Sequence, residues 1–335
     1  RLTKARPLVF DYLHYSVNFT ILNHFSPFMK KAYVFPGQGS QTLGMLSEFA
    51  GHYPIIQETF AQASQVLKFD LWELCQQGPI AALNQTENTQ PALLAASVAL
   101  WRIWRQQRGA KPLYMAGHSL GEYSALVCAG ALDFLTAVRL VAERGRLMQA
   151  AVPVGKGAMA AIVGLENNKL LSLCDSLAEG QVLAPANYNS IGQTVVAGDS
   201  AAVDRLVANA KQAGAKLAKR IPVSVPSHCA LMKQAAEHLA ETLQTIHFSA
   251  PQIPIINNAD VEMADDPIRI KKALVKQLYH PVRWVEIIQW MEQQKIDEFI
   301  ECGPGKVLAG LNKRITAIPT LSIQDPEILQ NALVG

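Results

Sequence analysis

From Lys31 onward, short runs of β-branched, aromatic and other apolar residues alternate with stretches whose apolar positions recur every three or four residues. That alternation predicts an α/β protein with a mainly parallel sheet covered by helices. Strands are expected over 32–35 and 113–117, and helices over 54–67, 91–107, 120–129 and 134–150. After Pro153 the rhythm changes to strand, helix, strand, strand, helix, strand, over 158–163, 166–178, 182–187, 194–197, 201–213 and 216–220. This βαββαβ order is ferredoxin-like. The α/β pattern then resumes with a helix from His228, a strand near 253–256, helices around 268–278 and 282–293, and a strand over 298–301. An insertion explains the interruption: a small domain over 153–222 set into a discontinuous large domain over 29–152 and 223–335, with a cleft between them.

The chain has 335 residues, half of them hydrophobic, which is enough for two domains and a sizeable core. Residues 1–28 fit poorly. Basic at the start, they are interrupted by Asp11, His14, Asn18 and Asn23, and no small-residue cleavage site follows, which argues against a signal peptide. Met29-Lys30-Lys31 leads directly into a strand, so Met29 is the expected native start and 1–28 a non-native or upstream extension, with an ordinary N-terminal helix as the alternative.

The net charge of +3 owes much to Arg1, Lys4 and Arg6 in that segment. The nearly neutral remainder lacks the dense basic run that phosphate neutralisation requires, so nucleic acid is not an expected partner. Five cysteines without a CxxC pair suggest neither a disulfide framework nor a zinc site, and a reducing cytoplasm is the expected compartment. The apolar stretches are short or broken by charge, so no membrane span is expected. No metal-ligand spacing occurs. Phe35-Pro36-Gly37-Gln38-Gly39 misplaces the third glycine of a dinucleotide loop, which leaves no cofactor to expect.

Gly117-His118-Ser119-Leu120-Gly121 falls between a predicted strand and a predicted helix, the setting that gives G-x-S-x-G meaning. Flanking glycines permit a sharp turn that leaves the hydroxyl exposed, and the Leu120 amide at the helix N-terminus is a natural oxyanion donor. Ser119 is the candidate nucleophile; the alternative is a serine capping a tight turn. An exposed serine also needs a base. Spacing cannot choose among eight histidines, although on the predicted helix Met232, Ala235 and Leu239 fall within roughly 40° of His228 and turn it inward. In the helix after Asp133, Arg144 sits on the apolar face with Ala137, Val141 and Met148. A buried guanidinium needs an anion, either an internal acid such as Glu122 or the carboxylate of a substrate.

Read together, these motifs resemble the malonyl-CoA:acyl carrier protein transacylases of bacterial type II fatty acid synthesis. The likeness runs from Met29 onward. It rests on Phe35-Pro36-Gly37-Gln38-Gly39-Ser40-Gln41, Gly117-His118-Ser119-Leu120-Gly121-Glu122-Tyr123, Glu143-Arg144-Gly145, Ala186-Asn187-Tyr188-Asn189-Ser190, Val225-Pro226-Ser227-His228, Gln277-Leu278-Tyr279-His280-Pro281 and Gly303-Pro304-Gly305-Lys306-Val307-Leu308.

The resemblance implies an α/β-hydrolase-like large domain with an inserted ferredoxin-like subdomain. It implies Ser119 as nucleophile, His228 as base, the amides of Gln38 and Leu120 as oxyanion hole, and Arg144 as clamp on the malonyl carboxylate. The main-chain carbonyl of Gln277 would orient the histidine in place of an acid. The partners implied are malonyl-CoA and the phosphopantetheine arm of acyl carrier protein, and a monomer is expected. Because the carrier is generally acidic, Lys216, Lys219, Arg220, Lys313 and Arg314 are candidates for meeting it, with ordinary solvated charges as the alternative. Cys302 departs from the small, less reactive residue expected there. The rival functions are a serine esterase or thioesterase, a transacylase with another extender unit for polyketide synthesis, and a catalytically idle docking module.

Overall fold

The computed structural model describes residues 29–223 and 225–334; the extension expected over 1–28 lies outside them. The strands of this mixed α/β structure are β1 (Lys31–Phe35), β2 (Tyr114–Gly117), β3 (Gly157–Val163), β4 (Leu183–Ser190), β5 (Gln193–Asp199), β6 (Leu217–Arg220), β7 (Ile255–Ile256), β8 (Glu298–Glu301) and β9 (Thr320–Ser322). They form two sheets. The first, ordered β7-β2-β1-β8-β9, is parallel throughout. Ala32, Tyr33, Val34 and Phe35 in its middle are fully buried, because helices cover both faces of a parallel sheet and a central strand therefore needs no polar side. Phe35 pairs with Gly117, so the loops leaving β1 and β2 emerge side by side at the carboxyl edge, where α/β sheets bind ligands.

The second sheet, ordered β4-β5-β3-β6, is antiparallel and lies wholly within the βαββαβ stretch. Strand β3 shows why it has two covered faces. Ala158, Ala160 and Ile162 pack with the helices Asn167–Leu177 and Ser200–Ala210. Met159, between them by the period of two, turns to the other side and lines the central cleft. Strand β4 is stitched by backbone to the segment before the helix Trp284–Gln293: Val282 N–H donates to Ala186 at 2.9 Å, and Tyr188 N–H donates to Val282 at 2.9 Å.

Two expectations need correction. The helix expected from Pro91 begins at Thr86 and runs to Gln106, with Pro91 inside it. Its first turn is set by Gln85, whose carbonyl accepts from Thr89 N–H at 2.8 Å. His228 is not helical at all: it sits at φ 63°, ahead of a 3-10 turn, Ala230–Met232, and the helix Lys233–Gln244. The short elements Leu71–Gln77, Ile80–Leu83, Val307–Asn312 and β9 carry too few turns to leave a period in the sequence. Among the described residues no helix is long and apolar enough to cross a membrane.

Candidate active site

Ser119 occupies the bend between β2 and the helix Leu120–Cys128 with φ 53° and ψ −105°, a conformation that L-residues rarely adopt. The flanking glycines are a steric necessity. A Cβ on Gly117 would fall 1.8 Å from the Gly121 carbonyl carbon, and one on Gly121 would fall 2.0 Å from the Phe35 oxygen. The strained bend is held by Asn258, whose Oδ1 accepts from Ser119 N–H at 2.7 Å and whose Nδ2 donates to Gly117 O at 2.7 Å.

His228 Nε2 lies 2.8 Å from Ser119 Oγ. Its Nδ1 lies 2.7 Å from the main-chain oxygen of Gln277, which can only accept, so the ring proton belongs on Nδ1 and Nε2 is free to take the serine proton. Burial, and after it the nearby Arg144 cation, lowers the histidine pKa to about 3. The imidazole is therefore neutral near pH 7. Its inward direction comes from its own N–H bonding Leu278 O at 3.0 Å, not from a helical face.

Arg144 is fully buried. One NH group donates to Gln90 Oε1 at 2.7 Å; the other donates to Gln277 Oε1 at 2.9 Å and to Ser119 Oγ at 3.2 Å. Its Nε has no partner. The internal salt bridge considered from sequence does not form: among the described residues Arg144 has no ion pair. Glu122 instead accepts through Oε2 from Gln277 Nε2 at 2.8 Å and Asn258 N–H at 3.0 Å, and burial pushes its carboxyl pKa up to about 7. Arg144 thus donates to neutral oxygens alone among the described residues, with its guanidinium 5.2 Å over the Tyr123 ring.

A family model of the acyl transferase domain matches residues 32–317. The malonyl CoA-acyl carrier protein transacylase of Salmonella typhimurium is 56% identical over 303 residues, covering 90% of this chain and 98% of that protein. The chain belongs to the malonyl-CoA:acyl carrier protein transacylase family. Solved members share its fold. The transacylase of Coxiella burnetii, 54% identical, superposes with a TM-score of 0.90 over 91% of this chain and 97% of its own. A malonyl-transacylase in complex with its type II PKS acyl-carrier protein, 53% identical, also gives 0.90, over 91% and 99%. The protein is thus an acyltransferase enzyme.

The transacylase site opens into a cleft of about 630 Å³ between the two sheets, lined by Gln38, Ser119, Met159, Asn189, Val225 and His228 among others. Gln38 and Leu120 flank the serine, and neither backbone amide donates to another group among the described residues. Arg144 is not among the residues that line the open cleft; it meets the cleft through Ser119, whose Oγ accepts from it at 3.2 Å. His118 Nε2 and Asn189 Oδ1, 2.8 Å apart, join the nucleophile bend to β4 across the cleft. Burial lowers the His118 pKa. Cys302, the departure noted above, is buried with its thiol pKa raised by desolvation, which makes it inert.

Sequence reasoning missed Gln90 and Asn258, quoted Asn189 within a motif without giving it a role, and gave Glu122, also in a motif, no role beyond a possible arginine partner. Gln90 left one faint signal, a polar residue at the start of the apolar run 91–101. Asn258 left none, since its partner Ser119 is 139 positions away.

Proposed function

We propose that the enzyme transfers the malonyl group of malonyl-CoA to the phosphopantetheine thiol of acyl carrier protein through a malonyl-serine intermediate, supplying fatty acid elongation. One observation carries the reading: Arg144, a cation without an anion of its own, stands 3.2 Å from Ser119 Oγ. A three-carbon diacid unit spans such a site, with its carboxylate on the arginine and its thioester carbonyl at the serine.

His228 Nε2 takes the Ser119 proton as Oγ attacks the thioester carbon. The oxygen that becomes negative is received by the amides of Gln38 and Leu120, each worth on the order of 10²–10³ in rate. As the C–S bond breaks, His228 returns the proton to the departing CoA sulfur. In the second half the carrier thiol gives its proton to His228 and attacks the serine ester, and Ser119 leaves with that proton. Two half-reactions on one serine give ping-pong kinetics. Gln277 holds His228 through its carbonyl oxygen and Arg144 through its side chain, so base and clamp share one support. The scheme draws on no metal and no cofactor.

This reading includes the domain plan. Residues 29–152 and 223–335 form an α/β-hydrolase-like catalytic domain, and 153–222 form the inserted ferredoxin-like one, supported by the sheet order β4-β5-β3-β6 and the position of the cleft.

The test is intact-mass measurement after mixing with malonyl-CoA and then with carrier protein. A malonyl adduct should appear and then discharge onto the carrier, and Ser119→Ala should abolish it. Free malonate forming faster than malonyl-carrier would instead mark a thioesterase, and an adduct that survives Ser119→Ala would remove the serine from its role.

A further inference from the structure

Thr86 opens the helix Thr86–Gln106, is buried, and plays no part in the scheme above. Its hydroxyl stands between two glutamines, donating to Gln38 Oε1 at 2.8 Å and accepting from Gln90 Nε2 at 3.4 Å. Gln90 Oε1 in turn accepts from Arg144 at 2.7 Å. The direction of every bond in this row follows from its far end. A guanidinium has only donors, so Gln90 must present its carbonyl to Arg144 and its NH₂ to Thr86. The Thr86 oxygen is then the acceptor and its single proton is left for Gln38. A buried cation thereby gives one orientation to a hydroxyl that would otherwise rotate, and bonds aligned head to tail strengthen one another.

Gln38 lies at the other end, in the exposed loop after β1, where Gly39 takes φ 101°. Such a loop needs outside anchors to keep an amide in place. Two exist, and both reach the same stretch of chain: Gln41 Nε2 donates to Asn84 Oδ1 at 2.9 Å, and Gln38 is held by Thr86. Gly145 brings the arginine to that stretch as well, because a Cβ there would fall 2.5 Å from Glu87 Cα.

We propose that Thr86 is a positioning residue that couples the arginine to the oxyanion loop, fixing the Gln38 side chain so that the Gln38 amide faces the developing oxyanion. This rests on the reading of that amide as an oxyanion donor. Loss of the hydroxyl leaves the amide present but misplaced, which is a smaller defect than losing a donor outright.

The test is single-turnover acylation by malonyl-CoA, followed by intact mass, in the full chain. Thr86→Val should lower the maximal acylation rate about tenfold while the malonyl-CoA concentration for half-maximal rate stays within about twofold, because the interaction matters in the transition state. Thr86→Ser should recover most of the rate. In a Gln38→Ala background, where the hydroxyl has lost its recipient, Thr86→Val should cost less than about twofold more. A Thr86→Val enzyme acylating at the wild-type rate overturns the proposal, and so do effects that simply multiply in the double variant. Should Thr86→Val fail to fold, Gln38→Ala alone decides, since it keeps the backbone amide: a wild-type rate overturns the proposal and a roughly tenfold loss supports it. Failure of the proposed malonyl transfer itself looks different, because the wild-type enzyme would then form no malonyl adduct at all.

Discussion

Arg144 and Glu301 are both fully buried, and the fold treats the two charges in opposite ways. Glu301, at the end of β8, accepts from Leu308 N–H and Ala309 N–H at 2.9 Å each and from the Ser322 hydroxyl at 2.7 Å. Both of its oxygens are occupied, and they close the N-terminus of the helix Val307–Asn312. Arg144 keeps an unpartnered Nε and makes no direct ion pair among the described residues, Glu122 reaching it only through the Gln277 side chain. Glu301 is completed by the fold, whereas Arg144, to which the proposed function gives a ligand carboxylate, is left short of a counter-ion. Protein interiors tolerate that deficit only where neutral dipoles share it, as Gln90 and Gln277 do here.

Substitution at the incomplete charge should have the largest effect. Arg144→Ala should lower malonyl transfer about 10³-fold in kcat/KM while acetyl transfer is kept or gained, because acetyl no longer leaves a buried cation unpaired. An unchanged malonyl-to-acetyl ratio would show that Arg144 is as complete as Glu301. The same variant should also move the pH profile. The nearby cation helps hold the His228 pKa down, so its removal raises that pKa and shifts the acid limb of acylation upward towards the ordinary histidine range.

At the completed charge the pattern should invert. Glu301→Ala leaves two amides and a hydroxyl without their acceptor and should destabilise the fold by about 3 kcal/mol, read from denaturant unfolding. Acylation by the protein that remains folded should stay near wild type. A large kinetic defect without loss of stability would break the comparison.

Legibility in the sequence divides along the same line. The helix Phe134–Ala151 was readable because it buries one face, and β1 because a strand covered on both faces is apolar throughout; neither rule needs knowledge of the partner. Arg144 stood out because it violated the first. Asn258 and Gln90 could not be read so, since each matters through one contact across the fold: Asn258 with Ser119, and Gln90 with Arg144 54 positions away. Helical counting gave His228 only weak support and the family resemblance assigned it, although it lies outside the helix. The backbone of 277–278 turns it inward, and no local pattern encodes that.

Glu122 stands between the two extremes, with two donors on one oxygen and a pKa raised by burial to about 7. A carboxyl whose folded pKa lies above its unfolded one binds its proton more tightly in the native state. Its contribution is therefore fully present below the unfolded value near pH 4.5 and is lost as pH rises through about 7. Glu122→Gln keeps an acceptor for Gln277 and Asn258 but removes the titration. The variant should lose that decline between pH 5 and 8 and gain up to about 3 kcal/mol at pH 8 relative to wild type. Parallel stability curves across that range would show that Glu122 keeps one protonation state there and does not titrate.

The smallest effect expected carries the distinction to the surface. Arg220 and Lys219 are neighbours on β6, both exposed, and the pleat sends them to opposite sides. Arg220 pairs with Ala160, on the face covered by the helix Ser200–Ala210, and spends its charge on both oxygens of Asp204 at 2.7 and 2.9 Å. Lys219 pairs with Ala161 and so shares the face of Met159, which lines the cleft, and it makes no ion pair among the described residues. If an acidic carrier protein approaches that cleft, the uncommitted charge should guide it and the committed one should not. Lys219→Glu should raise KM for the carrier about threefold at low ionic strength, fading at high salt, while Arg220→Ala should change it by less than about half that factor. Equal effects from the two would mean that the carrier senses net charge alone, and a shift only with Arg220→Ala would place its approach on the helix-covered face.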